Sequence, residues 1–468
     1  MFDFSKYLSD QYVRYFVKNA ASNVIGGMVS VIYSLLLPAV VVRHLSSAEF
    51  SAWSIGLQVA SALSFFSLGI QTALATKLAF LNESSIKEQT NQLLGGAIIL
   101  LAAGVLGSLV LVVVAWVFYG VFFPKIPAEL FDTSRTVALV IGISGSLQLF
   151  AMFPSGIYQG QHRNFVPMLI QSGARALTLL VVILVMWIAP GLESVAIAFS
   201  LASLMQLPIG FAALRLGYKK IIMLLGSRNR VITIGLFKYC SALSVWNIST
   251  ILVSGIDIFL VGYFDFASAG TYALAATLMT ILGGALSAIL SPLATSFAAQ
   301  CAYPERSARF SIILLRATQL VSVLFCVAII TFHIFGERLL DLWVGKNAMA
   351  SLDELVLILL MANAIRLTFV PYAMALLGLS LQSKAMKSGF AEGITNLAAS
   401  IYLGASLGAM GVAFGTLIGA IVGVAGHLCW NFNKTKLLTP NRRDFIFRAL
   451  VPLWALILTI LGTFWAWG

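Results

Sequence analysis

Arg175 and Arg366 each lie in the middle of a long stretch that otherwise carries almost no charge. A guanidinium stays charged at any physiological pH, and its planar fork of donors matches the oxygens of a carboxylate or phosphate. At the centre of a membrane-spanning helix it costs about 2.5–3.5 kcal/mol on insertion scales. It persists there when it meets water, a partner or an anionic ligand. Helical spacing puts Gln171 on the face of Arg175, and Asn363 on the face of Arg366. Arg316 sits some two turns inside one end of its apolar stretch, and Lys77 and Lys238 sit close to the ends of theirs. For these three, snorkelling to the membrane surface competes with lining a cationic cavity. Two acids also fall in apolar stretches. They are Asp257, which follows Asn247, Ser249, Thr250 and Ser254, and Glu392. Either could carry a coupling ion, and either could pair with a buried arginine. The chemistry these residues suggest is binding of an anionic headgroup in a wet, cationic cavity.

Catalysis is not suggested. The sequence has no phosphate-binding loop and no HExxH. Cys240, Cys301, Cys326 and Cys429 lie in or beside apolar stretches without metal-ligand spacing and read as structural thiols. No cofactor and no metal are expected. With no ATPase signature, a driving force would have to come from an ion gradient or from the substrate gradient.

The elements that must position these residues are membrane helices. The chain is 60 % hydrophobic and 10 % charged, whereas soluble domains carry about 25 % charged residues. Uncharged runs such as 93–123 are long enough to cross a bilayer core of about 30 Å. They lack the period-2 alternation of a barrel, which leaves helices that satisfy their own backbone. The expected spans are 20–42, 50–74, 93–123, 136–157, 165–189 and 192–214, then 236–262, 269–299, 309–334, 354–379, 386–407 and 411–432. Residues 447–467 read as a thirteenth span, with an interfacial helix as the alternative. Residues 1–19 read as an amphipathic interfacial segment, with a frayed terminus as the alternative. The expected domains are a lobe at 20–218, a cytoplasmic linker at 219–235, a second lobe at 236–434 and a basic segment with the possible last span at 435–468.

Most Lys and Arg residues fall on one side of this span list when the N-terminus is cytoplasmic. The net charge of +12 then follows from topology, and nucleic acid is not expected as a partner. The non-cytoplasmic loops are too short to fold into a catalytic domain.

The two lobes repeat each other at a constant offset of 219 residues. AWSIGLQ (52–58) falls on TYALAAT (271–277), ALATKLA (73–79) on PLATSFA (292–298), and Trp53 on Tyr272. An even number of spans per lobe makes this a parallel repeat, with its axis along the membrane normal. The fold class expected is therefore an all-α polytopic membrane protein of two six-helix lobes.

RHLSSAEFSAWSIGLQVASALSFFSLGIQTAL (43–74) resembles the signature of polysaccharide (O-antigen, Wzx-type) flippases of the multidrug/oligosaccharidyl-lipid/polysaccharide (MOP) exporter superfamily. DIFLVGYFDFASAGTYALAA (257–276), GIYQGQHRNF (156–165) and DLWVGK (341–346) are similar to later stretches of the same family. The resemblance implies a MATE-like two-lobe exporter working by alternating access in the bacterial inner membrane. Its expected substrate is an undecaprenyl-pyrophosphate-linked oligosaccharide, and its expected partners are membrane lipid and a polysaccharide polymerase or ligase. Asp257 is the acid that matches the family pattern. Arg175 and Arg366 rest on the cavity argument alone. A multidrug or cation antiporter of the same superfamily is the alternative, and a membrane polymerase or ligase is a more distant one.

Overall fold

The computed structural model describes residues 10–82, 87–217, 229–250, 253, 255–301, 307–345, 351–379, 381–435 and 442–467. Residues 1–9 of the N-terminal segment and 219–228 of the linker lie outside them. The described residues are helical nearly throughout, without strands. Eleven stretches among them are long and apolar enough to cross a membrane, including Arg443–Gly462 near the C-terminus. Large apolar side chains such as Leu106, Val110, Trp187, Ile188 and Leu458 are exposed, as lipid-facing helices require. The chain forms two compact units, Met1–Ile248 and Ser249–Gly468.

The first unit holds α1 (Asp10–Val42), α2 (Ser47–Leu63), α3 (Ile70–Asn82), α4 (Lys87–Val117), α5 (Tyr119–Phe122), α6 (Phe131–Gln148), α7 (Met152–Gly160), α8 (Phe165–Ile188), α9 (Leu192–Leu204), α10 (Gln206–Gly217) and α11 (Arg230–Thr250) to Ile248. From Asp10 onward, α1 runs on into the first span, and no Pro or Gly interrupts residues 10–25. The second and fourth spans are each broken. A 3-10 turn at Ser64–Ser67, followed by Leu68 and Gly69 at positive φ, separates α2 from α3. A second such turn at Leu149–Ala151 separates α6 from α7. The halves stay paired across the breaks, with α2 on α6 and α3 on α7.

The seventh expected span divides. Leu236 and Cys240 of α11 join the core made by Leu74, Leu94, Phe153, Ile157 and Leu214. That apolar packing groups α11 with the first unit, although the sequence places it at the head of the second lobe.

The second unit holds α12 (Asp257–Phe264), α13 (Ala269–Cys301), α14 (Ser307–Val344), α15 (Leu352–Leu367), α16 (Val370–Gly378), α17 (Gln382–Gly426), α18 (Phe432–Thr435), α19 (Arg442–Phe445) and α20 (Val451–Trp467). Its packing repeats that of the first unit, with α13 against α15 and α16. Trp53 and Tyr272, aligned by the repeat, are each 1 % exposed. The helix α17 reverses at Gly408, whose φ of 57° is left-handed. This is the expected boundary between the spans 386–407 and 411–432. Past the turn, Gly411, Gly415, Gly419 and Gly423 recur every fourth residue. A Cβ at each would overlap Leu403, Ser400, Asn396 or Glu392 of the first limb. The glycine face thus lets the two limbs touch backbone to backbone, as small residues do in membrane helices.

One local test concerns the start of α2. Ser46 and Glu49 form a capping box, with Glu49 N–H donating to Ser46 Oγ (3.3 Å) and Ser46 N–H donating to Glu49 Oε2 (2.8 Å). Ser46→Ala is expected to cost about 1 kcal/mol and Ser46→Asp much less. Thermal unfolding of the purified protein in detergent reads the difference.

Candidate functional site

The first unit contains a cavity of about 580 Å³ lined by α1, α2, α3 and α6 to α10. Arg175 and Gln171 of α8 both line it, as their shared helix face predicts. On the same helix Leu177, Leu180 and Leu184 are exposed. Arg175 Nη1 donates to Ser30 Oγ of α1. Tyr33 of α1 lies beside it in the lining. No carboxylate lies within ion-pair reach of Arg175 among the described residues, whose two salt bridges lie elsewhere.

Four further glutamines line the cavity: Gln71, Gln148, Gln159 and Gln206. Gln148 Nε2 donates to Ser203 Oγ (2.9 Å). Gln159 Nε2 donates to Asn164 Oδ1 (3.1 Å), and Asn164 Nδ2 to Asn23 Oδ1 (3.0 Å). Asn19 closes this chain, donating to His162 O (2.7 Å) and accepting from Phe165 N–H (3.0 Å). The QHRN turn, with His162 at φ 58°, is thereby fastened to α1 at the rim of the cavity.

A second polar cluster lies in the other unit. Asp257, 4 % exposed, stands at the start of α12. Its Oδ2 accepts from Tyr272 Oη (3.2 Å) and Thr416 Oγ1 (3.1 Å), and its Oδ1 from Asn396 Nδ2 (3.3 Å). Asn396 Nδ2 also donates to Val253 O (2.9 Å). Ser400 Oγ reaches Asn396 Oδ1 (3.1 Å) and Val412 O (3.3 Å). This is one carboxylate amid hydroxyl, amide and carbonyl oxygens, a set able to take a proton or a hard monovalent cation. Among the described residues, no three His, Cys, Asp or Glu gather as a metal centre.

Glu392, the other candidate acid, pairs with Arg366 through Oε1 and Nε. Their side chains are 11 % and 18 % exposed. Arg366 Nη1 reaches Asn363 Oδ1 at 3.5 Å, while Nη2 is buried with no partner. The structure therefore joins Arg366, Asn363 and Glu392, and joins Gln171 with Arg175, as two separate sites. Lys77, Lys238 and Arg316 belong to neither and are exposed. The Lys77 ammonium stands 5.5 Å from the centre of the Tyr239 ring. Arg316 shares an exposed side of α14 with Ile312, Leu320 and Val323.

Sequence reasoning missed Gln71, Gln148, Gln159 and Gln206, and also the partners Asn396, Ser400 and Thr416. Uncharged polar groups in apolar runs read as helix-packing residues. What sets Gln71, Gln148 and Gln206 apart is their place at helix breaks or starts, which only the structure shows.

No family model matches the chain, and no curated protein matches it in sequence. Solved structures do share its fold. The lipid II flippase MurJ, in an inward closed conformation, matches at a TM-score of 0.68 and 14 % identity, over 95 % of this chain and 93 % of that one. An inward-facing multidrug resistance MATE family transporter of the MOP superfamily matches at 0.70 and 15 %, over 88 % and 96 %. A MOP superfamily transporter from Pyrococcus furiosus, described as having a binding pocket of reverse polarity, matches at 0.52 and 15 %, over 90 % and 96 %. The fold is thus the MATE- and MurJ-like helical fold. At these identities the likeness speaks to architecture alone.

Proposed function

We propose that this chain is a flippase of the MOP type. It would carry an undecaprenyl-pyrophosphate-linked oligosaccharide, an O-antigen or related repeat unit, from the cytoplasmic to the periplasmic leaflet by alternating access. The observation that carries this reading is Arg175, a cation with no carboxylate partner, facing an uncharged polar cavity. An anionic headgroup is its natural complement. Arg366 is the second cationic residue of this proposal; its Nη2 is buried beside Glu392, so a headgroup reaches it only when that pair opens. Asp257 is the coupling residue, placed among oxygens that suit a proton or monovalent cation. The multidrug transporter sharing the fold keeps an antiporter as the second reading, but a fixed arginine in the cavity repels cationic drugs. In this reading the protein works in the bacterial inner membrane with a cytoplasmic N-terminus, and polymerase or ligase partners take up the flipped unit.

The test is complementation of a strain lacking the gene. Arg175→Ala is expected to cut surface polysaccharide severely at normal membrane abundance, with Arg175→Lys intermediate because it keeps the charge and loses the fork. A charge-assisted contact is worth roughly 1.5–3 kcal/mol, or about one to two orders of magnitude in headgroup binding. Full-length polysaccharide from both Arg175→Ala and Arg366→Ala would make these arginines structural. Orientation is read separately, in a background without the native cysteines. Single cysteines beside Lys125 should label from outside, and ones beside Arg442 should not.

A further inference from the structure

We propose that the cavity of the first unit reads a sugar. Arg175 holds an oxyanion borne on a saccharide, and the amides of Gln71, Gln171 and Gln206 bind the hydroxyls around it. The proposal deepens the flippase reading and rests on it.

The argument is one of complementary chemistry. Gln148 and Gln159 spend their amide donors on Ser203 and Asn164. Gln71, Gln171 and Gln206 make no side-chain hydrogen bond to the protein among the described residues, yet all three line the cavity. Each primary amide offers two donors and a carbonyl with two lone pairs. A bare phosphate uses donors only and would leave three amide carbonyls unmatched. A cationic drug would seek a carboxylate, and the lining contains none. A lipid tail would leave the amides and the guanidinium without partners, a costly outcome for buried polar groups. A polyol satisfies donors and acceptors together, because every hydroxyl both gives and accepts.

Placement supports the same reading. Gln171 and Arg175 lie one turn apart on α8, so an anion on the guanidinium has an amide beside it. Gln71 is the second residue of α3 and Gln206 the first of α10, so the free amides come from three helices. They can fix a ring from several sides, where a single helix face could not. A volume of about 580 Å³ lies within the ordinary range of small-ligand pockets, about 300–1,000 Å³. The oxyanion has two sources in such a substrate. It is either a carboxylate on the sugar, as in a uronic acid, or the phosphate joining the sugar to the lipid.

The experiment uses the full chain, purified in detergent, with saturation-transfer NMR to read weak binding. The probes are glucuronate, glucose 1-phosphate, glucose and inorganic phosphate. Both anionic sugars are expected to bind at least ten-fold more tightly than glucose and than phosphate. The tighter of the two identifies the source of the oxyanion. Arg175→Ala should weaken the anionic sugars about ten- to hundred-fold and leave glucose unchanged. Gln171→Leu and Gln206→Leu should each weaken the sugars about two- to ten-fold and leave phosphate unchanged. Phosphate binding as tightly as either anionic sugar, or no sugar binding by the folded wild-type chain, overturns the proposal; neither outcome depends on a variant folding. Sugar binding in a chain whose deletion leaves surface polysaccharide intact would instead sink the flippase reading and leave the subsite standing.

Discussion

Glu392→Ala is expected to destabilise the protein by about 3–5 kcal/mol, the usual cost of breaking a buried ion pair from one side. The reason lies in what remains. Arg366 would keep its charge, with Nη2 already buried without a partner and only Asn363 Oδ1 at 3.5 Å and the more distant Asp257 carboxylate to offset it. Glu392 also lies where the Gly423 face of the α17 hairpin closes upon it, so its loss opens a gap as well. Membrane abundance and the thermal midpoint in detergent should both fall sharply. The double variant Arg366→Met with Glu392→Leu should recover most of that loss, because well-packed apolar residues replace a buried pair at little net cost. The double variant also separates structure from transport. If it is stable and exports polysaccharide normally, the pair only holds α15 to α17. If it is stable and exports nothing, one of the two charges acts in transport, on the substrate or through Asp257, whose carboxylate interacts with Arg366. Should Glu392→Ala cost under about 1 kcal/mol, Arg366 must already be solvated, as a residue facing a wet cavity would be.

That pair shows how far the sequence could lead. Arg366 and Glu392 are both visible as costly charges in apolar runs, and an ion pair is one of the outcomes open to each. Their spacing of 26 residues is not a helical neighbour distance, so only the tertiary fold could join them. Arg175 with Gln171 was more legible, because one turn of helix suffices to put both on one face. The hairpin limit at Gly408 also showed itself, as the gap between the expected spans 386–407 and 411–432. The breaks inside the second and fourth spans did not, since Ser64–Ser67 and Leu149–Ala151 are as apolar or small as the helices around them. Those breaks place Gln71 and Gln148 in the cavity. The hidden part of the site therefore follows from hidden irregularities in the helices. The grouping of α11 with the first unit was equally silent, because Leu236 and Cys240 look like any apolar span residues until their neighbours are known.

Asp257→Asn is expected to leave the protein folded and to reduce surface polysaccharide at least hundred-fold. Folding should survive because the cluster can be rewired. Tyr272 and Thr416, which donate to Oδ2 now, carry hydroxyls that can rotate and accept from an amide instead. Asn396 Nδ2 can still donate to the Oδ1 position, and its bond to Val253 O is untouched. The size and shape of the side chain are kept, so no cavity opens. What disappears is the one negative charge in the cluster, and with it the group that could take up a proton or hold a cation. Thr416→Val is the companion test. It removes one hydroxyl from the cluster and keeps the carboxylate, so a proton carrier at Asp257 should retain much of its activity. A cation site that uses the Thr416 oxygen should lose affinity about ten-fold or more, and added sodium should then restore export. Abundance within two-fold of wild type, checked by immunoblot, makes either loss interpretable. Normal export by Asp257→Asn at that abundance would remove Asp257 from the coupling mechanism and make the cluster a device for packing α12 against the α17 hairpin.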